Sequence, residues 1–436
     1  MKAVILAAGK GKRLRPITAT RPKPLIPIAG KPILEHSILG LIDSGIDQLL
    51  LIVGYKEEMI KDYFGKSRDK FNIDINYVTQ EVYLGTAHAA SYAREFVKND
   101  DFLFMYGDIL VDSNLFSQLI QNFKSIQCDG IISLVEVGDP QNYGVITLDS
   151  KGFVKSIIEK PSQELHAGNL ANAGIYLFKS NIFEAIEKTK KSVRGEYEFT
   201  DSMKILLNEM KGTIYGYNLQ NLFWNDIGLP WQLLEANKHV LDTQEAKNLG
   251  NAEKNVFISE NVFIGEGTKV RSGTYIQGPC FIGTNCLIGP NAFIRPYSSI
   301  GDSCHIGMSE IKNSIIFSNT SIPHFNYVGD SIICEKVNLG AGTKISNLRF
   351  DNKNIKMKIN NQLIDSGRRK LGAIIGPNSQ TGINSSIMCG KIIGEDTIIG
   401  AHTLVNENLL SNTLFYQDSN GKLIKKTNPF YNEKTK

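Results

Sequence analysis

The chain lacks what several function classes require. Its 436 residues include six cysteines, and none forms a C-x-x-C pair, so a zinc site of the paired-cysteine kind is excluded. No apolar run approaches the ~20 residues of a membrane span. The formal charge is only +4, too small for a general nucleic-acid binder. The first 34 residues contain no Asp or Glu, yet they hold eight Lys or Arg. The basic excess is therefore local. The opening apolar run ends after Ala8 in Gly9-Lys10-Gly11-Lys12-Arg13, which is too short for an export signal. A reducing cytoplasm is the expected setting.

What is present begins with that same segment. Ala3-Val4-Ile5-Leu6-Ala7-Ala8 reads as a buried strand feeding a glycine-spaced basic loop. Glycines let backbone N–H groups approach a ligand, and nearby cations favour a polyphosphate. The loop is not a P-loop, which needs G-x-x-x-x-G-K-[ST]. Nor is it a dinucleotide fingerprint, because Leu14 stands where the third glycine belongs. Leu6 to Leu14, together with Pro22-Lys23-Pro24, resembles the sugar-1-phosphate nucleotidylyltransferases.

Residues 1–240 alternate strand-like and helical runs. Gln48–Val53, Ile75–Thr79, Phe102–Tyr106, Gly130–Val135 and Gly174–Phe178 are predicted strands, with helices such as Ile33–Ser44 and Thr86–Val97 between them. This is an α/β, Rossmann-like domain with a largely parallel sheet, and ligands then belong past the strands' carboxyl ends. Residues 241–252 read as a linker. From 253 to 412 a six-residue repeat takes over: Ile258, Ile264, Val270, Ile276, Ile282, Ile288, Ile294, Ile300 and Ile306 are six apart, and Ile375 to Val405 resumes the step. That is the hexapeptide signature of a left-handed parallel β-helix. Four residues after most of these aliphatics comes a small one, such as Thr268, Cys280, Cys286, Ser298 or Cys304, so those cysteines read as structural. The register breaks between Ile306 and Ile333, and a longer polar excursion runs from Ser346 to Ala373. Such irregular segments in a solenoid commonly carry function. Residues 413–436 read as a polar tail.

The family resemblance implies attack of a sugar-1-phosphate on the α-phosphate of a nucleoside triphosphate. Both reactants are anions, so cations, carboxylates and Mg²⁺ are required. It implies Arg13 on the triphosphate and Lys23 at the phosphates as catalytic cations, with Asp108 and Asp226 as metal ligands. It further implies Leu6, Ala8, Gly9, Gln80, Gly85 and Thr86 around the nucleotide, and Gly144, Glu159 and Asn172 at the sugar.

In the repeat region, Ile294-Arg295-Pro296, Glu310-Ile311-Lys312, His324 to Asp330 and Val337 to Thr343 look like the acetyltransferase half of a bifunctional family. That family is the N-acetylglucosamine-1-phosphate uridylyltransferase/glucosamine-1-phosphate acetyltransferases. Ser366 to Ala373 is similar to its archaeal branch. Acetyl transfer needs a base near neutral pH, and His suits. The resemblance implies His324 as that base, Arg295 and Lys312 on the sugar phosphate, and Tyr327 and Asn338 on the sugar. It also implies an N–H near Ala341 at the oxyanion, with Asn347 and Lys353 in matching places. Acetyl-CoA is the implied co-substrate and a homotrimer or dimer of trimers the implied assembly. UTP and dTTP both remain open, as do glucose and hexosamine phosphates. The alternatives are a monofunctional nucleotidylyltransferase with a structural solenoid (thymidylyl- or mannose-1-phosphate guanylyltransferase) and a non-catalytic exchange-factor subunit.

Overall fold

In a computed structural model the described residues are 1–66, 71–162 and 168–430; residues 431–436 of the predicted tail lie outside them. The chain divides into two compact units. One comprises Met1–Lys10, Pro22–Leu25 and Ile33–Asp226; the other comprises Gly11–Arg21, Ile26–Pro32 and Ile227–Lys436.

The first unit is built on a nine-stranded sheet. Its strands are β1 (Lys2–Leu6), β2 (Gln48–Val53), β3 (Asp74–Thr79), β4 (Phe102–Tyr106), β6 (Gly130–Glu136), β7 (Gly144–Leu148), β8 (Val154–Glu159), β9 (Leu170–Phe178) and β10 (Ile214–Asn218). A separate two-stranded ribbon pairs β5 (Ile109–Val111) with β11 (Trp224–Asp226). β3, β2, β1 and β4 run parallel in that spatial order. Their near-continuous apolar sequences, such as Gln48-Leu49-Leu50-Leu51-Ile52-Val53, fit strands covered on both faces. Two apolar clusters do the covering: Leu34, Ile38, Leu41 and Phe116 with one face, and Val97, Phe183, Phe199 and Met203 with the other.

The predicted largely parallel sheet is in fact mixed. β9 lies antiparallel to β4 and β6, and β7–β8 is an antiparallel pair. Short connections after residue 136 return the chain directly, and a parallel crossover needs a dozen or more residues. The predicted helix Thr86–Val97 is interrupted, giving Thr86–Ser91 and then Arg94–Val97. Reversal of strand order at β1, which lies between β2 and β4, makes a crevice at the carboxyl ends of β1 and β4.

In the second unit, two-residue strands stack in parallel columns. One column pairs Asn251, Lys269, Leu287 and His305; a second pairs Phe257, Tyr275 and Phe293; a third pairs Phe263, Phe281 and Ser299. Each step is eighteen residues, or three hexads. The aliphatic of every hexad points inward, and Ile264, Ile282, Ile294, Ile300 and Ile306 are fully buried. Each contributes about 1.5–3 kcal/mol by leaving water. The small slot is structural, as predicted. Cys286 and Cys304 Sγ donate to the carbonyls of Gly301 (3.1 Å) and Phe317 (3.2 Å), just as Thr268 Oγ1 donates to Gly283 (2.6 Å). All six cysteines are free thiols.

The two irregular segments differ in kind. The first is a shortening: His305 pairs with Ser321 and Ser299 with Ile315, both sixteen residues apart. His305–Lys312 and Ser321–Gly329 then continue as long strands, with a register shift between Met308 and Glu310. The second is a true insertion, carrying the hairpin Lys356–Ile359/Gln362–Asp365 with Ile355, Met357 and Ile359 buried. Beyond Gln417, Leu423–Thr427 turns back on Thr413–Gln417 as an antiparallel pair. The helix Pro230–Thr243 and the short hairpin 27–32 belong to the same unit. Asn237 joins them: its Oδ1 accepts from the Ala29 amide (3.1 Å) and the Ser299 hydroxyl (2.6 Å).

Candidate functional site

The β1 strand ends at Leu6, whose carbonyl accepts from Gly107 N–H at 2.9 Å. A Cβ on Gly107 would stand 2.8 Å from that oxygen, so only glycine lets β4 close on β1 here. The next residue, Asp108, is thereby delivered to the crevice. Lys23 Nζ donates to Asp108 Oδ2 at 2.5 Å, with side-chain exposures of 11% and 34%. The pair is therefore shielded but still reachable. β11 lies across β5 so that Asp226 is opposite Ile109, the residue after Asp108. Asp108, in the turn that leads into β5, thus precedes the residue that pairs with Asp226 on β11, and Lys23 bonds the first of the two aspartates. Trp224 fixes the ribbon by donating Nε1–H to the Ala173 carbonyl at 2.8 Å.

Ala8 is buried and its carbonyl accepts from Tyr55 N–H at 3.1 Å. Gly9 is exposed, with open space where a side chain would be. Gln80 is buried just past the end of β3, its amide bonded to Val53 at 2.8 Å. Gly85 has φ +115° and meets the Tyr197 backbone, and Thr86 Oγ1 accepts from Phe199 N–H at 2.9 Å. Ala8 and Gln80 thus follow the carboxyl ends of β1 and β3, while Gly85 and Thr86 open the helix Thr86–Ser91 against the 197–199 backbone.

The predicted sugar residues also converge. Gly144 pairs with Glu159 across β7–β8. A Cβ on Gly144 would meet Glu159 Oε2 at 2.9 Å and the Asn172 side chain at 3.8 Å. Glu159 accepts from Thr200 Oγ1 (3.2 Å) and Arg194 (3.3 Å), and Asn172 donates to Tyr176 Oη at 2.8 Å. Arg194 and the Tyr176–Tyr106 pair escaped the sequence reading, because no motif marks them. Burial pushes the Tyr106 phenol up to about 12, against hydrogen bonds from Tyr176 and Thr86 that pull it down. It stays a neutral hydrogen-bonding group.

In the second unit, Arg13 packs its guanidinium on Gly228, where a Cβ would lie 3.0 Å from it. Thr18 Oγ1 donates to the Gly11 carbonyl at 2.9 Å, and Gly11 has φ +57°.

The shortened coils of that unit gather most of the other predicted residues. Arg295 donates to Glu310 Oε1 at 2.7 Å. Glu310 pairs with Tyr327 across adjoining strands. Asn347 Nδ2 donates to Tyr327 Oη (3.1 Å) and to Asp330 Oδ2 (2.6 Å). The same Asp330 oxygen takes Lys312 Nζ at 3.2 Å, and Oδ1 takes Asn313 at 2.7 Å. Lys312, Asn313, Tyr327 and Asn347 thus form one hydrogen-bonded network around a buried Asp330, and the Arg295–Glu310 pair lies on the strand beside Tyr327. Burial is the first cause raising the Tyr327 pKa, opposed by the Asn347 hydrogen bond.

His324 is exposed, next to Phe325 at φ +53°, and its carbonyl accepts from Gly342 N–H at 2.9 Å. That bond brings it to Ala341, whose own carbonyl takes Asn384 N–H at 2.7 Å. Asn338 pairs with Ser321 on the His305 column. His305 is partly buried, and its pKa is lowered by desolvation first, then by His324 and Arg271. Lys353 is exposed ahead of the inserted hairpin, its amide donating to Asp351 at 3.2 Å. Among the described residues no bond joins it to the network around Asp330.

Among the described residues there is no group of three or more His, Cys, Asp or Glu able to hold a metal, and no helix is long and apolar enough to cross a membrane. Mg²⁺, however, is commonly held by one or two carboxylates plus substrate phosphate and water. Asp108 and Asp226 fit that donor set.

The nucleotidyl transferase family model matches residues 2–243, and the GMPPB C-terminal domain model matches 276–413. Bifunctional protein GlmU of Methanocaldococcus jannaschii is 46% identical over 418 residues, covering 96% of this chain and 98% of that protein. A bifunctional sugar-1-phosphate nucleotidylyltransferase/acetyltransferase of Sulfurisphaera tokodaii is 42% identical over 94% of this chain and 98% of its own length. Among solved structures, a UDP-glucose pyrophosphorylase complexed with UDP-glucose is similar with TM-score 0.51 and 26% identity, covering 56% of this chain and 99% of its own. A putative glucose-1-phosphate thymidylyltransferase from Bacillus anthracis gives TM-score 0.51 and 30% identity over 57% of this chain and 98% of that one.

Proposed function

This chain belongs to the family of bifunctional sugar-1-phosphate nucleotidylyltransferase/acetyltransferases, and on that premise we propose how its two reactions divide among its residues. The first transfers a nucleotidyl group from UTP or dTTP to N-acetylglucosamine-1-phosphate or glucose-1-phosphate. The sugar phosphate oxygen attacks the α-phosphorus and pyrophosphate leaves. The second acetylates the amine of glucosamine-1-phosphate from acetyl-CoA.

The observation that carries the first assignment is the Lys23–Asp108 pair just past the carboxyl end of β4, with Asp226 paired to the following residue, Ile109. Lys23 and Arg13 neutralise phosphate charge as it redistributes in the transition state. Asp108 and Asp226 would hold Mg²⁺, which would supply positive charge to neutralise the phosphates. Leu6, Ala8 and Gly9 offer backbone to the nucleotide, while Gln80, Gly85 and Thr86 read the base. Gly144, Glu159 and Asn172 bind the sugar hydroxyls.

At the second site His324 takes the amine proton as nitrogen attacks the thioester carbonyl, and coenzyme A leaves as its thiol. Arg295 and Lys312 bind the sugar phosphate, Tyr327 and Asn338 orient the sugar, and the amide near Ala341 stabilises the oxyanion. Asn347 and Lys353 complete the site.

The eighteen-residue, three-column pairing supports a left-handed parallel β-helix after a 1–240 nucleotidyltransferase domain; its columns run past the bounds 253–412 read from the sequence, since Asn251 of the 241–252 linker pairs with Lys269 and Leu414 of the 413–436 tail pairs with Ile398. A homotrimer or dimer of trimers is the proposed assembly. Six reduced thiols fit a cytoplasmic enzyme.

The test is a panel of sugar-1-phosphates against four nucleoside triphosphates, reading pyrophosphate, with thiol release from acetyl-CoA and glucosamine-1-phosphate read in parallel. Pyrophosphate without thiol release from any hexosamine phosphate would leave a nucleotidylyltransferase alone. Neither product would defeat the proposal.

A further inference from the structure

Five aromatic side chains pack together in the core of the first unit: Phe104, Tyr106, Tyr176, Phe178 and Phe199, with neighbouring centroids 4.7 to 6.2 Å apart. Phe104, Phe178 and Phe199 show that packing alone asks for no hydroxyl there. Tyr106 and Tyr176 nevertheless carry one each, and a phenol in such a core needs hydrogen-bond partners. Tyr176 is fully buried. Its Oη donates to Tyr106 Oη at 3.2 Å and accepts from Asn172 Nδ2 at 2.8 Å. Thr86 hydrogen-bonds the Tyr106 phenol as well. The two hydroxyls thus make a line from Asn172 to Thr86, and neither phenol has a role in the reaction proposed above.

The line ends at a distortion in β9. Asn172 lies opposite Leu134 of β6 and Tyr176 opposite Ile132, and the register shifts between them. Such a bulge re-aims the side chains beside it. Gly174 lies inside the bulge at φ +76°, and its amide donates to Asn172 Oδ1 at 2.9 Å. A Cβ on Gly174 would stand 2.7 Å from Cδ2 of the Tyr106 ring. The ring therefore rests against the bulge, while its hydroxyl reaches Asn172 through Tyr176. We propose that Tyr106 is a positioning residue for sugar-phosphate binding: its ring and hydroxyl together fix the bulge of β9, and with it the amide of Asn172, before the sugar arrives. The inference rests on the sugar-side role proposed above for Asn172 and assigns no contact of Tyr106 with substrate. Thr86 keeps a second partner, the Phe199 amide at 2.9 Å, so the nucleotide side depends less on this phenol.

The experiment uses the full chain with Mg²⁺ and the pair of substrates that turns over fastest in the panel above, reading pyrophosphate. Tyr106→Phe keeps the ring and removes the hydroxyl. It should raise the KM for sugar phosphate about two- to tenfold, the worth of one hydrogen bond, and leave the KM for nucleotide close to wild type. Tyr176→Phe cuts the same line one link nearer Asn172. It should raise the same KM at least as much, and it reads the inference should Tyr106→Phe fail to fold. Asn172→Ala combined with Tyr106→Phe should bind sugar phosphate no worse than Asn172→Ala alone, because Tyr106 acts through Asn172; a phenol serving only the core would add its own loss. An unchanged KM for sugar phosphate in the folded single variants, equal rises in both KM values, or additive losses in the double variant would each overturn the inference and leave nucleotidyl transfer standing. A wild-type KM in Asn172→Ala would remove the sugar-side role beneath it. A wild type that releases pyrophosphate from no pair of the panel would overturn the activity and the inference together.

Discussion

Asp330 offers the sharpest test of how the shortened coils are held together. Its carboxylate is 3% exposed and its lysine partner 20%, so solvent screens the pair weakly. It accepts three hydrogen bonds: Lys312 at 3.2 Å, Asn313 at 2.7 Å and Asn347 at 2.6 Å. Its backbone has φ +52°, a conformation that Asn and Asp tolerate better than Ala. Asp330→Ala would leave a shielded ammonium without its anion, at about 3–5 kcal/mol. Strain of the left-handed backbone adds about 1 kcal/mol. Asp330→Asn keeps the backbone preference and one acceptor oxygen, so its loss should be smaller, about 1–3 kcal/mol. Urea unfolding followed by circular dichroism, with the coil transition fitted on its own, measures both. The same variants should lose acetyl transfer, because Lys312 and Asn347 are both released, and should keep nucleotidyl transfer. If Asp330→Ala stayed within about 1 kcal/mol of wild type, the claim that this carboxylate organises Lys312 and Asn347 would be wrong.

Four further outcomes are expected. Asp108→Ala should abolish pyrophosphate release and spare acetyl transfer, whereas His324→Ala should slow acetyl transfer about 10²–10⁴-fold and spare the other; loss of both activities in either folded variant would contradict separate sites. Gly144→Ala places a methyl 2.9 Å from Glu159 Oε2, so the KM for sugar phosphate should rise with little change in that for UTP, as steady-state kinetics would show. The lowered pKa of His305 favours its neutral form in the folded coils; its contribution to stability is present above the unfolded value near 6.5 and is lost as pH falls through the folded value. His305→Asn should therefore flatten the acid limb of a stability–pH profile, and an unchanged limb would refute this. Native thiol labelling should modify Cys389 first, because the other five cysteines are buried and burial pushes the Cys280 thiol up to about 12; mass spectrometry after brief alkylation reads the order.

The parts of this molecule that repeat were legible, and those that depend on chain reversal were not. The inward aliphatic of each hexad can be read because one residue in six obeys a single local constraint, burial. The strands Gln48–Val53 and Phe102–Tyr106 fall on their predicted bounds, since buried parallel strands are continuous apolar runs. Gly144–Leu148 and Val154–Glu159 were missed as strands. Gly144–Leu148 is a short run opened by glycine, and Val154–Glu159 mixes apolar with polar residues, so neither reads as a long apolar run and it is their pairing with each other that makes them strands. The break after Ile306 looked like added polar sequence. Pairing of His305 with Ser321 shows residues removed instead, a distinction that sequence spacing alone leaves hidden once both neighbours drift. Candidate residues that sit in motifs could be named from the sequence. Arg194, Asp330 as an organiser, and the Thr20–Glu335 contact could not, because they depend on partners 4 to 315 residues away.

Shortening has a mechanical consequence that explains where the second set of polar residues lies. In an eighteen-residue coil each corner turns through a residue such as Asn285, Asn291 or Ser303 with positive φ, and outward side chains stack directly on those of the next coil. That gives ladders such as Phe257 on Tyr275 at 4.3 Å and Phe263 on Phe281 at 5.2 Å. Such ladders are self-satisfying and leave little free chemistry. Removing two residues, as between His305 and Ser321, deletes the corner within His305–Lys312 and runs the chain through as a longer strand. Unlike side chains then face one another: Phe293 meets Glu310, Glu310 meets Tyr327, and Tyr327 meets Lys344. Charged groups brought into register this way must pair with neighbours, which is what the Arg295–Glu310 and Lys312–Asp330 bridges do. Restoring a full coil by inserting two residues after Met308 should therefore rebuild a ladder, dissolve those bridges and remove acetyl transfer without unfolding the stack. An insertion variant that folded and still released thiol would show that the shortened register is incidental to the site.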